Sequence, residues 1–139
     1  MARAGATIRL VLKTFTGNIM AHRCTAIVVH CMDYRLQSYI NQWLEANLAQ
    51  GSYDRAVMAG GVFDVYDVIR QVDISDRLHG ITTVILINHE DCGMYGIGGT
   101  EQHHERDLEQ AEDKIRRLFP HLEVDTYYLN LDGTFEKKS

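Results

Sequence analysis

Short apolar segments alternate along the chain with longer segments in which apolar residues recur every three or four positions. Residues 25–30 are apolar and rich in β-branched side chains, as is typical of a strand that is buried on both faces. Similar segments predict further strands over residues 55–59, 81–87 and 122–131. We therefore expect four strands, each followed by a change in the pattern.

Three stripes of apolar residues with the spacing of an amphipathic helix lie between these strands. Their members are Leu36, Tyr39, Ile40, Trp43, Leu44 and Leu48 in the first, Val65, Val68, Ile69 and Val72 in the second, and Leu108, Ala111, Ile115, Leu118 and Phe119 in the third. Gly51, Gly80 and Pro120 follow the stripes and mark the predicted helix ends.

The predicted order of elements is β-α-β-α-β-α-β, with a turn at Asp132-Gly133. Strands that alternate with helices pair in parallel through right-handed crossovers. We predict an α/β fold with a small, doubly wound, mostly parallel sheet of four to five strands flanked by helices. Residues 23–139 then form one α/β domain, and residues 1–22 are an N-terminal arm, a leader, or sequence upstream of a start at Met20.

Composition and charge exclude several classes of protein. Fourteen basic against nineteen acidic residues give a net charge of −5, which argues against a nucleic-acid-binding protein. Hydrophobic residues make up 45% of the chain and there is one proline, so we expect a packed core. No apolar run approaches the ~20 residues that cross a bilayer, and we expect no membrane partner.

The cysteines bear on the cellular compartment. Three of them, Cys24, Cys31 and Cys92, are too few and too scattered for a secreted disulfide scaffold. Basic residues interrupt the apolar stretch 8–15, unlike the core of a secretory signal. We expect a cytoplasmic location, with organellar targeting by residues 1–19 as the alternative. Cys24, at the start of the first strand, is interpreted as a core residue.

The carboxyl ends of parallel strands lie along one edge of a sheet, where doubly wound folds bind their ligands. The first predicted strand ends at Cys31, the third at His89, and Cys92 follows one turn later. Two thiols and an imidazole suit tetrahedral zinc, and three protein ligands leave a fourth position open, as in catalytic zinc sites. We therefore predict one zinc ion per chain at these three residues.

Each of these residues also has an ordinary structural interpretation. A cysteine at a strand end is commonly part of the core, His89 alone could be a hydrogen-bonded loop residue, and Asp33 could cap the next helix. The joint placement of two thiols and an imidazole on one edge favours the metal site. Three other histidines fall in polar segments and are expected to be solvated: His103, His104 and His121.

Two motifs resemble those of the β-class carbonic anhydrases. Residues 31–35, Cys-Met-Asp-Tyr-Arg, are similar to the family's Cys-x-Asp-x-Arg, and residues 89–93, His-Glu-Asp-Cys-Gly, are similar to its His-x-x-Cys-Gly. Residues 59–61, Ala-Gly-Gly, resemble the glycine loop between these motifs, and residues 128–134 resemble the closing strand and turn. The resemblance spans about residues 23–135.

The resemblance implies zinc-dependent, reversible hydration of CO2 to bicarbonate and a proton, with zinc supplying hydroxide as the nucleophile. It implies that Asp33 and Arg35 are the paired carboxylate and guanidinium beside the metal. Gly60, Gly61 and Gly93 would shape the substrate pocket with backbone groups. It also implies a homodimer as the basic assembly, which the unpaired edges of a small sheet independently favour.

Other functions fit parts of the same pattern. A related zinc hydrolase would act on another small linear substrate, such as carbonyl sulfide or carbon disulfide. In a catalytically silent zinc-binding homologue, Asp33 would close the coordination sphere permanently. A cysteine phosphatase is excluded, because it needs a longer phosphate-binding loop than the three residues between Cys31 and Arg35. The expected lining of the substrate pocket is Val62, Phe63 and Tyr95.

Overall fold

A computed structural model describes residues 22–139 of the chain. The predicted arm or leader, with the apolar stretch 8–15 and Met20, lies outside the described residues apart from His22. The elements, in chain order, are β1 Ala26–Cys31, α1 Gln37–Asn47, β2 Tyr53–Met58, α2 Val65–His79, β3 Thr83–His89, α3 Glu101–Leu118, β4 Glu123–Leu129 and β5 Phe135–Lys137.

The described strands form one sheet in the order β2-β1-β3-β4-β5. β1 pairs in parallel with both β2 and β3, and β3 pairs in parallel with β4. β5 is antiparallel to β4 and closes the sheet at that edge. β2 and β3 therefore lie on opposite sides of β1. The strand order reverses between β1 and β3, which is the switch point of a doubly wound fold. The predicted fold class is confirmed.

Helices cover both faces of the sheet. On one face α1 contributes Ile40 to a core that includes Val28 of β1. On the opposite face Val68 of α2 and Ile115 of α3 share a core with Val29. Because β1 lies between two other strands and two helical layers, all six of its residues are buried, which explains its continuous apolar sequence.

The predicted strand boundaries are wrong by up to two residues. Ile81 is buried but precedes β3, whereas Asn88 and His89 extend this strand although they are polar, since they pair with β4. The range 81–87 was predicted from the run of apolar residues. Such a run indicates which residues are buried, but it does not indicate which backbone groups form hydrogen bonds to a neighbouring strand. β2 begins two residues before the predicted range 55–59, because this edge strand exposes alternate residues and lacks a strong apolar pattern.

The helix ends follow local signals. The Asp64 side chain accepts a hydrogen bond from the backbone amide of Asp67 and caps α2, which ends at Gly80 in the left-handed conformation, as predicted. Thr100 caps α3 in the same way. Within residues 22–139, no helix combines the length and the apolar character that a membrane crossing requires.

Candidate metal centre

Two neighbouring strands and one turn bring the predicted metal ligands together. Cys31 is the last residue of β1, His89 is the last residue of β3, and Cys92 lies in the turn that follows β3. All three side chains are buried, and their ligand atoms lie within 4.8 Å of one another. Donor atoms around a tetrahedral zinc ion are separated by roughly 3–4 Å, so small side-chain movements would accommodate the ion.

The imidazole of His89 is oriented for a ligand. Its Nδ1 lies 2.7 Å from the backbone carbonyl oxygen of Glu90, a contact that requires Nδ1–H as the hydrogen-bond donor. Nε2 of the neutral ring therefore carries a lone pair, and this buried atom has no hydrogen-bond partner. A buried nitrogen without a partner is unfavourable unless a cation or proton occupies its lone pair, so this residue fits a metal site.

The two thiols share their protons unequally. Hydrogen bonds from Cys92 and from the backbone amide of Gly60, the latter at 3.3 Å, lower the pKa of the Cys31 thiol well below its usual value, against the opposing effect of burial. The interaction with the Cys31 thiolate raises the pKa of Cys92, and burial adds to this shift. One thiolate thus forms readily, and a divalent cation would provide the charge that stabilises the second.

A carboxylate lies beside the three ligands and is held by an arginine. Arg35 donates to Asp33 from Nε to Oδ1 at 3.1 Å and from Nη2 to Oδ2 at 2.7 Å. These hydrogen bonds lower the pKa of Asp33 to about 2, so its carboxylate is ionised at neutral pH. Asp33 Oδ2 lies 3.9 Å from His89 Nε2. The predicted pairing of this carboxylate and guanidinium is therefore present next to the candidate ligands.

Sequence reasoning missed Asp91, which is a further anchor for Arg35. Its carboxylate and its backbone carbonyl both accept hydrogen bonds from the guanidinium. Asp91 has a positive φ of 57°, which is uncommon for a residue other than glycine. The available signal was its position between His89 and Cys92, two residues that were predicted to lie beside Cys31.

The glycine turn predicted to shape the pocket packs closely against the site. Gly60 and Gly61 have positive φ angles of 84° and 62°. The amide of Gly60 donates to Cys31, as described above. A Cβ atom at Gly61 would overlap the side-chain oxygen of Asn88 and come within 2.9 Å of the carbonyl oxygen of Ile87. Both glycines are therefore required by the backbone geometry of this turn.

A cavity of about 580 Å³ opens beside the glycine turn, with Phe63 and Met94 among its lining residues. Of the three residues expected to line the substrate pocket, Phe63 lines this cavity and Tyr95 packs against the two thiols of the site. Val62 is buried in the core shared with α2 and α3. Gly93 is exposed, with open space where a Cβ atom would lie.

A buried hydrogen-bond network behind the site was also missed. Asn88 Nδ2 donates to the Tyr95 hydroxyl at 3.0 Å and lies 2.8 Å from His104 Nδ1, and Asn88 Oδ1 accepts from the amide of Val62 at 3.0 Å. The Tyr95 hydroxyl donates to Asp107 at 2.7 Å. Asn88 thereby connects the end of β3 to the glycine turn and to α3. A polar residue at the buried end of a strand was the available signal.

The expectation that His104 is solvated is wrong, because its side chain is fully buried. Burial lowers the pKa of His104 to about 4, so the ring is neutral at physiological pH. The sequence contained the signal: position 104 precedes Leu108 by four residues and continues the stripe of Leu108, Ala111 and Ile115. His121 is largely exposed, as expected.

Comparison with known sequences gives one family and two informative relatives. Residues 21–138 match a family model described as putative carbonic anhydrase. An uncharacterized protein of Rickettsia conorii is 24% identical over 135 residues, which cover 84% of this chain and 73% of that protein. β-Carbonic anhydrase 1 of Mycobacterium tuberculosis is 37% identical over 67 residues, which cover 48% of this chain and 38% of that protein.

Solved structures share the fold. A carbonic anhydrase from Glaciozyma antarctica superposes with a TM-score of 0.63 at 19% identity, over 88% of this chain and 87% of that one. A carbon disulfide hydrolase in its apo form also gives a TM-score of 0.63, at 17% identity, over 85% and 80% of the two chains. A tetrameric β-carbonic anhydrase from Sordaria macrospora gives 0.58 at 9% identity, over 84% and 81%. At these identities the likeness establishes the fold alone.

Proposed function

We propose that this chain, which belongs to the putative carbonic anhydrase family, binds one zinc ion through Cys31, His89 and Cys92 and catalyses the reversible hydration of CO2 to bicarbonate. The observation that carries the proposal is the convergence of two thiols and an unpartnered imidazole nitrogen at the carboxyl ends of parallel strands. This donor set is suited to zinc, and it lies where doubly wound folds place their active sites.

Bound zinc would supply a Lewis acid that lets a water molecule lose its proton near neutral pH. The remaining chemistry is performed by Asp33 and Arg35. The ionised carboxylate of Asp33 can accept a hydrogen bond from a hydroxyl group at the site and so direct the oxygen lone pair towards the carbon of CO2. Arg35 fixes the orientation of this carboxylate through two charge-assisted hydrogen bonds.

Hydrolysis of carbon disulfide is the second candidate function. The observation that favours it is the solved structure of a carbon disulfide hydrolase. It matches this chain with a TM-score of 0.63, the same value as for the carbonic anhydrase from Glaciozyma antarctica. CO2 and carbon disulfide are both small, linear and apolar molecules with an electrophilic central carbon. The same metal site could therefore serve either substrate, and access to the pocket would decide between them.

We also propose that the protein is a cytoplasmic homodimer. Val57, Phe63, Tyr66 and Met94 are between 43% and 76% exposed and surround the cavity next to the site. β2 lies at an edge of the sheet, with an open side that a second copy of the chain could cover. Light scattering should report a dimer, and Val57→Glu should shift it towards the monomer mass. Leu118→Glu, at an exposed residue at the end of α3, provides the control.

The proposed function is tested on the full chain without a histidine tag. Stopped-flow measurement of CO2 hydration and zinc analysis are performed on the same preparations. Cys31→Ser should hold about one zinc ion fewer per chain than the wild type and should lose hydration activity. Cys24→Ser is the matched control and should keep the hydration activity. If the wild type hydrolyses carbon disulfide but does not hydrate CO2, the second candidate function is selected. Full CO2 hydration in Cys31→Ser would overturn the site assignment.

A further inference from the structure

A second group of potential metal ligands lies at the opposite edge of the sheet. Cys24 stands two residues before β1, Asp54 is the second residue of β2, and His79 is the last residue of α2. A backbone hydrogen bond of 3.1 Å from the Cys24 amide to the His79 carbonyl oxygen joins two of these segments directly. Three separate parts of the chain therefore meet where the parallel strands begin.

The side chains of this second group converge. One ligand atom from each of Cys24, Asp54 and His79 lies within 4.8 Å of the others, which is the same limit that holds for the first group. His79 Nδ1 lies 2.7 Å from Asp54 Oδ2. The buried hydroxyl of Ser75 donates to the same carboxylate oxygen at 2.6 Å and fixes its orientation. Cys24, interpreted from the sequence as a core residue, packs against the core but is only partly buried.

We propose that Cys24, Asp54 and His79 form a second binding site for a divalent transition-metal ion, with zinc as the best-suited ion. A thiolate, a carboxylate and an imidazole are the three types of ligand that proteins use for zinc. The ring of His22 lies 5.2 Å from the ring of His79, centroid to centroid, and places a second imidazole beside the group.

Access and charge at this second site also favour a cation. A cavity of about 250 Å³ includes Asp54, Ser75 and His79 in its lining and gives solvent ions access to the group. Burial and the negative charge of Asp54 raise the pKa of the Cys24 thiol. A divalent ion between the thiol and the carboxylate would remove this repulsion, and its binding would release the thiol proton.

The second site is independent of the first. The extended chain from Cys24 to Cys31 spans about 20 Å, at ~3.3 Å per residue, so the two groups share no ligand. An ion at the second site would connect the segment before β1, the start of β2 and the end of α2. We therefore expect it to stabilise the fold without changing the chemistry at the first site.

The test counts zinc in the untagged full chain after equilibration with a zinc buffer and removal of free metal. The wild type should hold two zinc ions per chain, and Cys24→Ser should hold one while keeping its CO2 hydration activity. Cys31→Ser should also hold one, at the second site. Cobalt substitution gives a second readout: the thiolate-to-cobalt absorption of Cys24→Ser should fall by about a third, since one of three thiolate ligands is lost.

The outcomes separate this proposal from the proposed function. One zinc per chain in both the wild type and Cys24→Ser would overturn the second site and leave Asp54 and His79 as a hydrogen-bonded pair. One zinc in the wild type and none in Cys24→Ser would support the second site and overturn the first. Should Cys24→Ser fail to fold, His79→Gln provides the same comparison, because it removes an imidazole ligand and retains a hydrogen-bonding side chain.

Discussion

Arg35 and Asp91, which are 56 positions apart in the sequence, are joined by two hydrogen bonds. Nη1 donates to the Asp91 carboxylate at 3.0 Å, and Nη2 donates to the Asp91 backbone carbonyl oxygen at 2.9 Å. The guanidinium therefore connects the loop that follows β1 to the turn that follows β3. Since Cys31 directly precedes the first segment and Cys92 lies in the second, the same arginine that orients Asp33 also connects the two parts of the candidate metal site.

Asp91→Asn tests which part of Asp91 anchors the arginine. The Asp91 side chain is 71% exposed, and exposed ion pairs contribute roughly 0–1 kcal/mol, whereas the backbone carbonyl survives any substitution. Asparagine also tolerates the positive φ at this position. We expect CO2 hydration to fall by less than about fivefold, as measured by stopped flow. A loss as large as that of Arg35→Ala would mean that the carboxylate, and not the carbonyl, is the essential contact.

Arg35→Ala should reduce hydration about 100-fold while zinc content stays at the wild-type value. The substitution removes both guanidinium hydrogen bonds to Asp33 and leaves only the one from the backbone amide of residue 35 to Oδ1, so that Oδ2 can turn towards the metal position. The matched control is Arg77→Ala, which also removes an arginine paired with an aspartate but lies on the exposed face of α2. Wild-type hydration in Arg35→Ala would leave Asp33 as a simple cap of the following turn.

Gly61→Ala should lower the free energy of unfolding by about 2 kcal/mol. Gly61 has a positive φ, and the added Cβ would overlap the side chain of Asn88. Urea denaturation of the two proteins measures the difference. Gly98→Ala is the control, because its φ is not positive and nothing lies within 4 Å of the Cβ position. Equal stability of Gly61→Ala and the wild type would contradict the close packing of the turn against β3.

The buried ring of His104 should make stability depend on pH. Its pKa is lowered to about 4 in the folded protein, against about 6.5 in the unfolded chain, so the unfolded chain binds the proton first as the pH falls. The stabilisation is complete above pH ~6.5 and decreases by up to about 3 kcal/mol as the pH falls to about 4.

His104→Gln isolates this effect, since glutamine can accept the hydrogen bond from Asn88 but does not titrate. We expect the variant to show a flatter dependence of unfolding free energy on pH between about 6.5 and 4. A chelator is present in both samples, so that loss of metal from the thiols does not contribute. Identical pH dependence in the two proteins would contradict the assignment of this effect to His104.

The amino-acid pattern alone was sufficient to predict the fold class and the candidate ligands of the first site. Residues 25–30 predict a buried strand because a strand covered on both faces requires apolar side chains throughout. Cys31 and His89 are predicted to lie close together because the carboxyl ends of parallel strands lie along one edge of the sheet. Neither inference needs a side-chain position, since each depends only on the period of the apolar residues and on the direction of the strands.

The contacts between polar side chains could not be predicted in this way, because they depend on how the elements pack. Asp91 reaches Arg35, and Asn88 reaches His104, because of strand register and the direction of each side chain. The group of Cys24 with its partners at the start of β2 and the end of α2 has no local motif at all. Hydropathy encodes whether a residue is buried, but a hydrogen bond or a metal ligand set depends on distances of a few ångströms between segments that the sequence separates.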